Sequence, residues 1–215
     1  MNSSSIHPLI QAVDGADSGA SLLAAVEALA AARLEASIPT LIAVLGYNNP
    51  GAAVAAVDGL VALGEPAVRP LLDKLDGYNY GARAWAVRAL AGIGDPRGLD
   101  ILVDALQSDF AMSVRRAAAR GLGTLHWHRL SPEELEPSQG QALDALLQGT
   151  QDPEWIVRYA AVVGLQGLAA ALPETQSQRL TEIQIQLQTL AQEDEHLTVQ
   201  ARTWLAQQQL QIATN

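Results

Sequence analysis

Six segments of the chain can be laid over one another so that each closes on a leucine: SLLAAVEAL (21–29), AAVAAVDGL (52–60), ARAWAVRAL (82–90), VRRAAARGL (114–122), VRYAAVVGL (157–165) and LTVQARTWL (197–205). Their spacings are 31, 30, 32, 43 and 40 residues. Self-similarity at that period admits few folds, because one unit is too short to bury an apolar face alone and must stack on its neighbours. Partner segments lie between them, among them IPTLIAVLG (38–46), PAVRPLLDKLDG (66–77) and RGLDILVDALQSD (97–109). Their apolar residues fall at i, i+3, i+4 and i+7, the stripe of an amphipathic helix. Pro39, Pro66 and Pro96 stand where helices begin, and Gly46, Gly64, Gly77 and Gly94 where they end. Each unit therefore reads as a helical hairpin, and residues 1–215 as one all-α domain, a right-handed α-solenoid of about six hairpins. Ala86, Ala89, Ala117, Ala118 and Gly121 are small enough to let neighbouring helices approach closely.

Two segments depart from the period. Residues 126–140, HWHRLSPEELEPSQG, are rich in Pro, Glu and Ser and read as an inserted surface loop or lid. In residues 173–215 glutamine replaces alanine and charge, which reads as a terminal capping or docking repeat.

Composition narrows the function. With 49% hydrophobic but only 4% aromatic residues, the chain has a helical, alanine-rich core. It contains no cysteine, so disulfides, thiolate metal sites and a cysteine nucleophile are excluded, and any thioether chemistry must use a partner's thiol. The net charge of -10 argues against nucleic acid. That charge is uneven, however. Residues 77–129 hold seven arginines and four aspartates, net +3, whereas the rest holds six basic and nineteen acidic residues, net -13. A basic patch in an acidic body fits a small anionic ligand or an acidic partner face. The start, MNSSSIHPLI, lacks the basic and apolar regions of a signal peptide, and no window reaches about 18 uninterrupted apolar residues; a soluble cytoplasmic protein without membrane insertion is expected. Phosphate-cradling glycine loops, Ser-His-Asp order and HExxH are absent, and His126 and His128 lack a third ligand at metal spacing, so no metal site is expected.

The run YNYGARAWAVRALAGIGDPRGLDILVDALQSDFAMSVRRAAARGLG (78–123) resembles the HEAT-like repeats of the E/F-type phycobilin lyases of cyanobacteria. LIAVLGYNNPGAAVAAVDGL (41–60) and EWIVRYAAVVGLQGLA (154–169) are most similar to the smaller F subunits of phycocyanin α-subunit phycocyanobilin lyases. The resemblance implies one subunit of a heterodimer with a larger E-type subunit. Such a pair joins phycocyanobilin through a thioether to a cysteine of the apo-phycocyanin α subunit, reversibly in principle. Phycocyanobilin is then a substrate, and no cofactor is implied. Related repeat proteins act in phycobilisome disassembly, so the alternative is a non-catalytic adaptor or chaperone that binds phycobiliproteins. A relative that isomerises its bilin relies on a His-Cys motif, which a chain without cysteine cannot supply.

Bilin attachment sets chemical requirements that the sequence can be searched for. A thiolate adds to the ethylidene group while a proton goes to the adjacent ring carbon. Two propionates call for arginine, the rings for aromatic faces and the pyrrole nitrogens for a carboxylate, and the proton needs a donor. Seven residues before the closing leucine the repeats read Leu22, Ala53, Arg83, Arg115, Arg158 and Thr198. Arg115 and Arg158 each follow an aspartate, Asp109 and Asp152, by six residues, the spacing of a structural pair. Two before the leucine stand Glu27, Asp58, Arg88, Arg120, Val163 and Thr203. Arg88, Arg116 and Arg120 follow no aspartate at that spacing and are propionate ligands or a solvated face. Gly81, Trp85, Arg88 and Gly92 share one helix stripe, which makes either a slot for a flat ring or a groove filler; Arg83 joins them as a substrate-binding candidate.

Tyr78 and Tyr80 are proton donors or packing residues, and Asn79, like Asn48 a repeat earlier, reads as a cap. Asp109 and Phe110 make a cap and a hydrophobic staple, or Asp109 holds the pyrrole nitrogens. His126 is a candidate proton donor, and Trp127 a loop anchor or a ring partner. Glu154 and Trp155 read as a helix start, and Tyr159 as a groove filler.

Overall fold

Side chains that fold back on their own main chain set the helix starts in the first repeats. The computed structural model describes residues 6–75 and 80–213, and among these every regular element is helical. The chain divides between Ile93 and Gly94 into two compact units. The repeat period runs on through that boundary, which is why the sequence reads as one domain. The first unit contains α1 (His7–Asp14), α2 (Gly19–Ala31), α3 (Ile38–Val44), α4 (Pro50–Leu63), α5 (Glu65–Leu72) and α6 (Tyr80–Ile93). Ser18 is extended and its Oγ accepts the Ser21 N–H at 3.1 Å, which starts α2.

Asn49 does the same for α4: its Oδ1 accepts the Ala52 N–H at 3.0 Å, and Pro50 pre-sets the first turn. The expected cap, Asn48, is its exposed neighbour. The Asn49 Nδ2 also donates to the Gly19 carbonyl at 3.0 Å, joining the start of α4 to the start of α2. Gly64, at φ +71, separates α4 from α5 in a conformation that a side chain would strain. The expected Gly77, Tyr78 and Asn79 features lie outside the described residues.

In the second unit are α7 (Leu99–Ser108), α8 (Met112–Leu122), α9 (Pro132–Gly149), α10 (Trp155–Ala171), α11 (Ser177–Glu193) and α12 (Leu197–Ala213). Here α10 packs between α8 and α12. The approach to α8 is so close that a Cβ on Gly164 would overlap the Ala119 carbonyl oxygen and come within 2.5 Å of Leu146 Cδ2. Leu102, Leu122, Leu146, Leu165, Leu168 and Ile183 are fully buried in this unit. Both units are thus stacks of helical hairpins, the expected all-α solenoid class.

Residues 126–140 differ from the loop expected of them. Trp127–Arg129 is a single 3-10 turn, and α9 begins at Pro132. The Ser131 N–H donates to Glu134 Oε2 at 3.2 Å, with Pro132 at the first helical position. Ser131, Pro132 and Glu134, which suggested a loop, are helix-start residues, and Glu136, Pro137 and Ser138 lie within α9 itself. A longer first helix, not an insertion between helices, accounts for the 43-residue spacing.

One hydrogen-bond pattern recurs in the second unit and fixes its register. Asp109, Asp152 and Asp194 each accept, through Oδ1, the N–H two residues on, at 2.8 Å in all three cases. Each also receives on its main-chain carbonyl a donor from six residues on: Arg115 at 2.9 Å, Arg158 at 2.9 Å and Gln200 at 2.7 Å. The spacing of six therefore reflects a carbonyl contact, not the ion pair expected within a repeat. The ion pairs reach forward instead. Arg115 forks onto Asp152 at 2.7 and 3.0 Å, and Arg158 onto Asp194 at 2.8 and 3.0 Å.

Gln200 is consequently the counterpart of Arg158, and the last repeat is offset by 42 residues, where the leucine alignment had 40. Leu205, not the buried Thr203, then stands in register with Arg120 and Val163.

Candidate functional site

In the first unit the candidate residues lie on α6. Tyr80 opens the helix and is 40% exposed. Arg83, Trp85 and Arg88 follow, all half-buried. The Arg88 guanidinium lies over the Trp85 indole, 4.4 Å from its centroid. The expected stripe is therefore a stacked pair, a planar cation on an aromatic face, stabilised by about 0.5–1 kcal/mol. Tyr78 lies outside the described residues.

The second unit holds the remaining candidates, and ion pairing sorts its arginines. Arg97 forks onto the buried Asp95 at 2.8 and 2.9 Å and Arg129 adds a contact at 3.0 Å. The hydrogen bond from Arg97 outweighs burial and lowers the Asp95 pKa to about 2. Arg115 is committed to Asp152, whose hydrogen bond outweighs burial and raises the arginine's pKa further. At Asp194 burial works to raise the pKa, but Arg158 and the His196 N–H prevail and lower it. What remains of the central basic patch in this unit is Arg116 and Arg120, exposed one turn apart on α8. Among the described residues neither has a carboxylate partner.

Asp109 is half-buried and accepts the Ala111 N–H, the capping role its counterparts Asp152 and Asp194 share. Phe110 is 77% exposed, so it is no staple across the turn. His126 is exposed; its N–H donates to the Gly94 carbonyl at 2.8 Å, and its ring lies 5.8 Å from that of His128. Trp127 is only 6% exposed, and its Nε1 is buried without an acceptor. A ring held that way anchors the turn and offers no face to a ligand, so Trp127 leaves the set of substrate-binding candidates. Among the described residues no group of three or more His, Asp or Glu could hold a metal ion.

Sequence reading missed one charged cluster. Arg202 on α12 donates from Nη2 to Gln166 Oε1 on α10, and its guanidinium stands 6.0 Å over the Tyr159 ring. Gln166 passes the chain on through a 2.6 Å bond to Gln209. Burial lowers the Arg202 pKa; Tyr159 works against this and Arg120 adds to it. The available signal was a lone arginine in a glutamine-rich helix, at the register of Ala117 and Ala160.

The family model for HEAT repeats matches residues 68–166. A phycocyanobilin lyase subunit beta of Pseudanabaena tenuis is 60% identical over 204 residues, 94% of this chain and 72% of the relative. A phycocyanin alpha phycocyanobilin lyase, CpcF, of Synechocystis sp. is 60% identical over 164 residues, 76% of this chain and 77% of its own. Among solved structures, the complex of CpcE and CpcF of phycocyanin lyase from Nostoc sp. matches with a TM-score of 0.72 at 53% identity. That match covers 80% of this chain and 98% of the other. A designed armadillo repeat protein matches at 20% identity and TM-score 0.63, a likeness of fold alone.

Proposed function

This chain belongs to the family of phycocyanobilin lyase beta subunits, and we propose that it acts with a larger E-type subunit to attach phycocyanobilin to the phycocyanin α subunit. The observation that carries this is the match to the solved two-subunit lyase, which extends over 98% of that chain. The bond formed is a thioether. The acceptor's cysteine thiolate adds to the ethylidene carbon, the carbon–carbon double bond opens, and a proton is delivered to the adjacent ring carbon. This chain has no cysteine, so the thiol is the acceptor's.

In our reading each unit offers its own candidates: on α6, Arg83 and Arg88 for a propionate, Trp85 for a ring and Tyr80 for the proton; in the second unit, Arg116 and Arg120 for a propionate, and Asp109 and His126 for the pyrroles and the proton. Exposed cations that lack a carboxylate of their own support this at Arg116 and Arg120. Much of the rate would come from positioning and exclusion of water. Among the described residues no helix is long and apolar enough to cross a membrane, and we place the protein in the cytoplasm with its acceptor.

The test is co-expression with apo-phycocyanin α subunit and a bilin supply, with and without the larger subunit, scored as covalent fluorescence on a denaturing gel. Adduct is expected only when both subunits are present. No adduct in either case would leave a binding protein without lyase activity. Arg120→Ala and Arg88→Ala are each expected to lower attachment about tenfold or more, the loss of one charge-assisted hydrogen bond. Full attachment by both variants would remove these arginines from the site.

A further inference from the structure

In the second unit every other arginine that is at least half-buried is met by a carboxylate: Arg115 by Asp152, Arg158 by Asp194, and Arg179 by Glu136 at 3.9 Å. Arg202 is the exception among the described residues. Its Nη2 has only the neutral Gln166 amide oxygen, and its Nη1 is buried with no acceptor. A guanidinium withdrawn from water without a counterion is unfavourable unless an anion completes it. The repeat itself does not require the residue, since alanine stands in its register at 117 and 160. Arg120, free of carboxylates, is close enough to repel it, and Tyr159 offers a ring beside it. A buried guanidinium edge and an aromatic ring meet where no carboxylate among the described residues pairs with the cation, and the charge of Arg120 adds to the positive field there.

We infer that this corner of α10 and α12 is a carboxylate-recognition site, in which a ligand carboxylate replaces Gln166 on Nη2 and takes Nη1 in the same fork, favoured by the positive field to which Arg120 on α8 contributes. Gln166 is the neutral place-holder, and its bond to Gln209 receives the amide when it is displaced. This rests on the function proposed above, in which the carboxylate is a propionate of the bilin and the Tyr159 ring lies against the conjugated body.

The experiment titrates the purified two-subunit complex with phycocyanobilin and with its dimethyl ester, following bilin absorbance, and scores attachment to apo-phycocyanin α subunit in parallel. The wild-type complex is expected to prefer the free acid by about tenfold or more. Arg202→Met should reduce that preference at least about fivefold. Gln166→Glu, nearly isosteric, should do the same while raising the melting temperature, because it supplies the carboxylate from within. An acid preference and an apo-phycocyanin affinity both unchanged in the two variants overturn the site and leave the lyase reading standing, as does a wild-type complex that attaches bilin without distinguishing acid from ester. Absence of attachment by the wild-type complex defeats the lyase reading, and the site with it. Weaker binding of apo-phycocyanin by both variants, with the acid preference intact, assigns the carboxylate to the acceptor protein and overturns the propionate assignment.

Discussion

Between α2 and α4 consecutive repeats are joined by an uncharged amide, Asn49 to the Gly19 carbonyl. Along α8, α10 and α12 they are joined by guanidinium forks, with side-chain exposures of 13% and 8% for Arg115 and Asp152 and 9% and 2% for Arg158 and Asp194. The first joint is a helix cap with one hand extended to a neighbour, and it neither titrates nor leaves a charge behind when broken. The second takes two ions out of water, so its parts are costly singly and tolerable only together. The contrast also explains the arginine-rich centre of the chain. In the second unit much of that charge is consumed by structure, and only the arginines left over are available to a ligand.

Breaking the charged joint should have the largest effect. Arg158→Met strands the Asp194 carboxylate and the Asp152 carbonyl, and is expected to destabilise the protein by about 3–5 kcal/mol in chemical denaturation. Adding Asp194→Asn, which keeps the cap on the His196 N–H, should recover part of that loss, whereas a simple sum of two losses would show that the pair does not act as a unit. Acid sharpens the same contrast. The Asp95 pKa is lowered to about 2, so its contribution is present above the unfolded value of about 3.9, and about 2 kcal/mol is lost as pH falls from near 4 through the folded value. Asp194, also lowered, moves in the same direction, and the Asn49 joint contributes nothing to this slope. The measurement is stability against pH between neutrality and pH 2.

Gly164→Ala forces a Cβ against the Ala119 carbonyl and Leu146 and should cost about 1–3 kcal/mol. Breaking the neutral joint with Asn49→Ala should cost about 1 kcal/mol, chiefly the lost cap. If Asn49→Ala proves as damaging as Arg158→Met, the distinction between the two joints fails. The exposed pair of Arg69 and Asp73 sets the floor: Arg69→Gln should change stability by less than about 0.5 kcal/mol.

The helical hairpins and most helix ends were legible in the sequence, because a strong apolar period is bracketed by residues with one conformational meaning, such as Pro39, Pro66, Gly64 and Gly94. Register in the last repeat was not. Leu205 imitates the closing leucine of the other repeats, and only the Asp194 cap with its Gln200 contact shows the true offset. The Asp–Arg spacing of six was visible, but a one-dimensional spacing does not tell a carbonyl contact from an ion pair, nor a partner in the same repeat from one in the next. Residues 126–140 were misread because Pro, Ser and Glu serve both loops and helix starts. Trp127 was ambiguous because an aromatic beside a polar turn packs inward or outward without changing the pattern. Arg202 went unnoticed because the wrong register hid the alanines it replaces.

The Asp–Arg ladder runs in one direction: each arginine belongs to one repeat and its counterion to the next. On the ribosome this order becomes a delay, since Asp152 is made 37 residues after Arg115. At about 5–20 residues per second the α8 hairpin waits on the order of seconds for its anion. A nascent chain stopped in that interval carries an unmatched cation at its growing edge, so each repeat of this stretch is completed only by the synthesis of its successor.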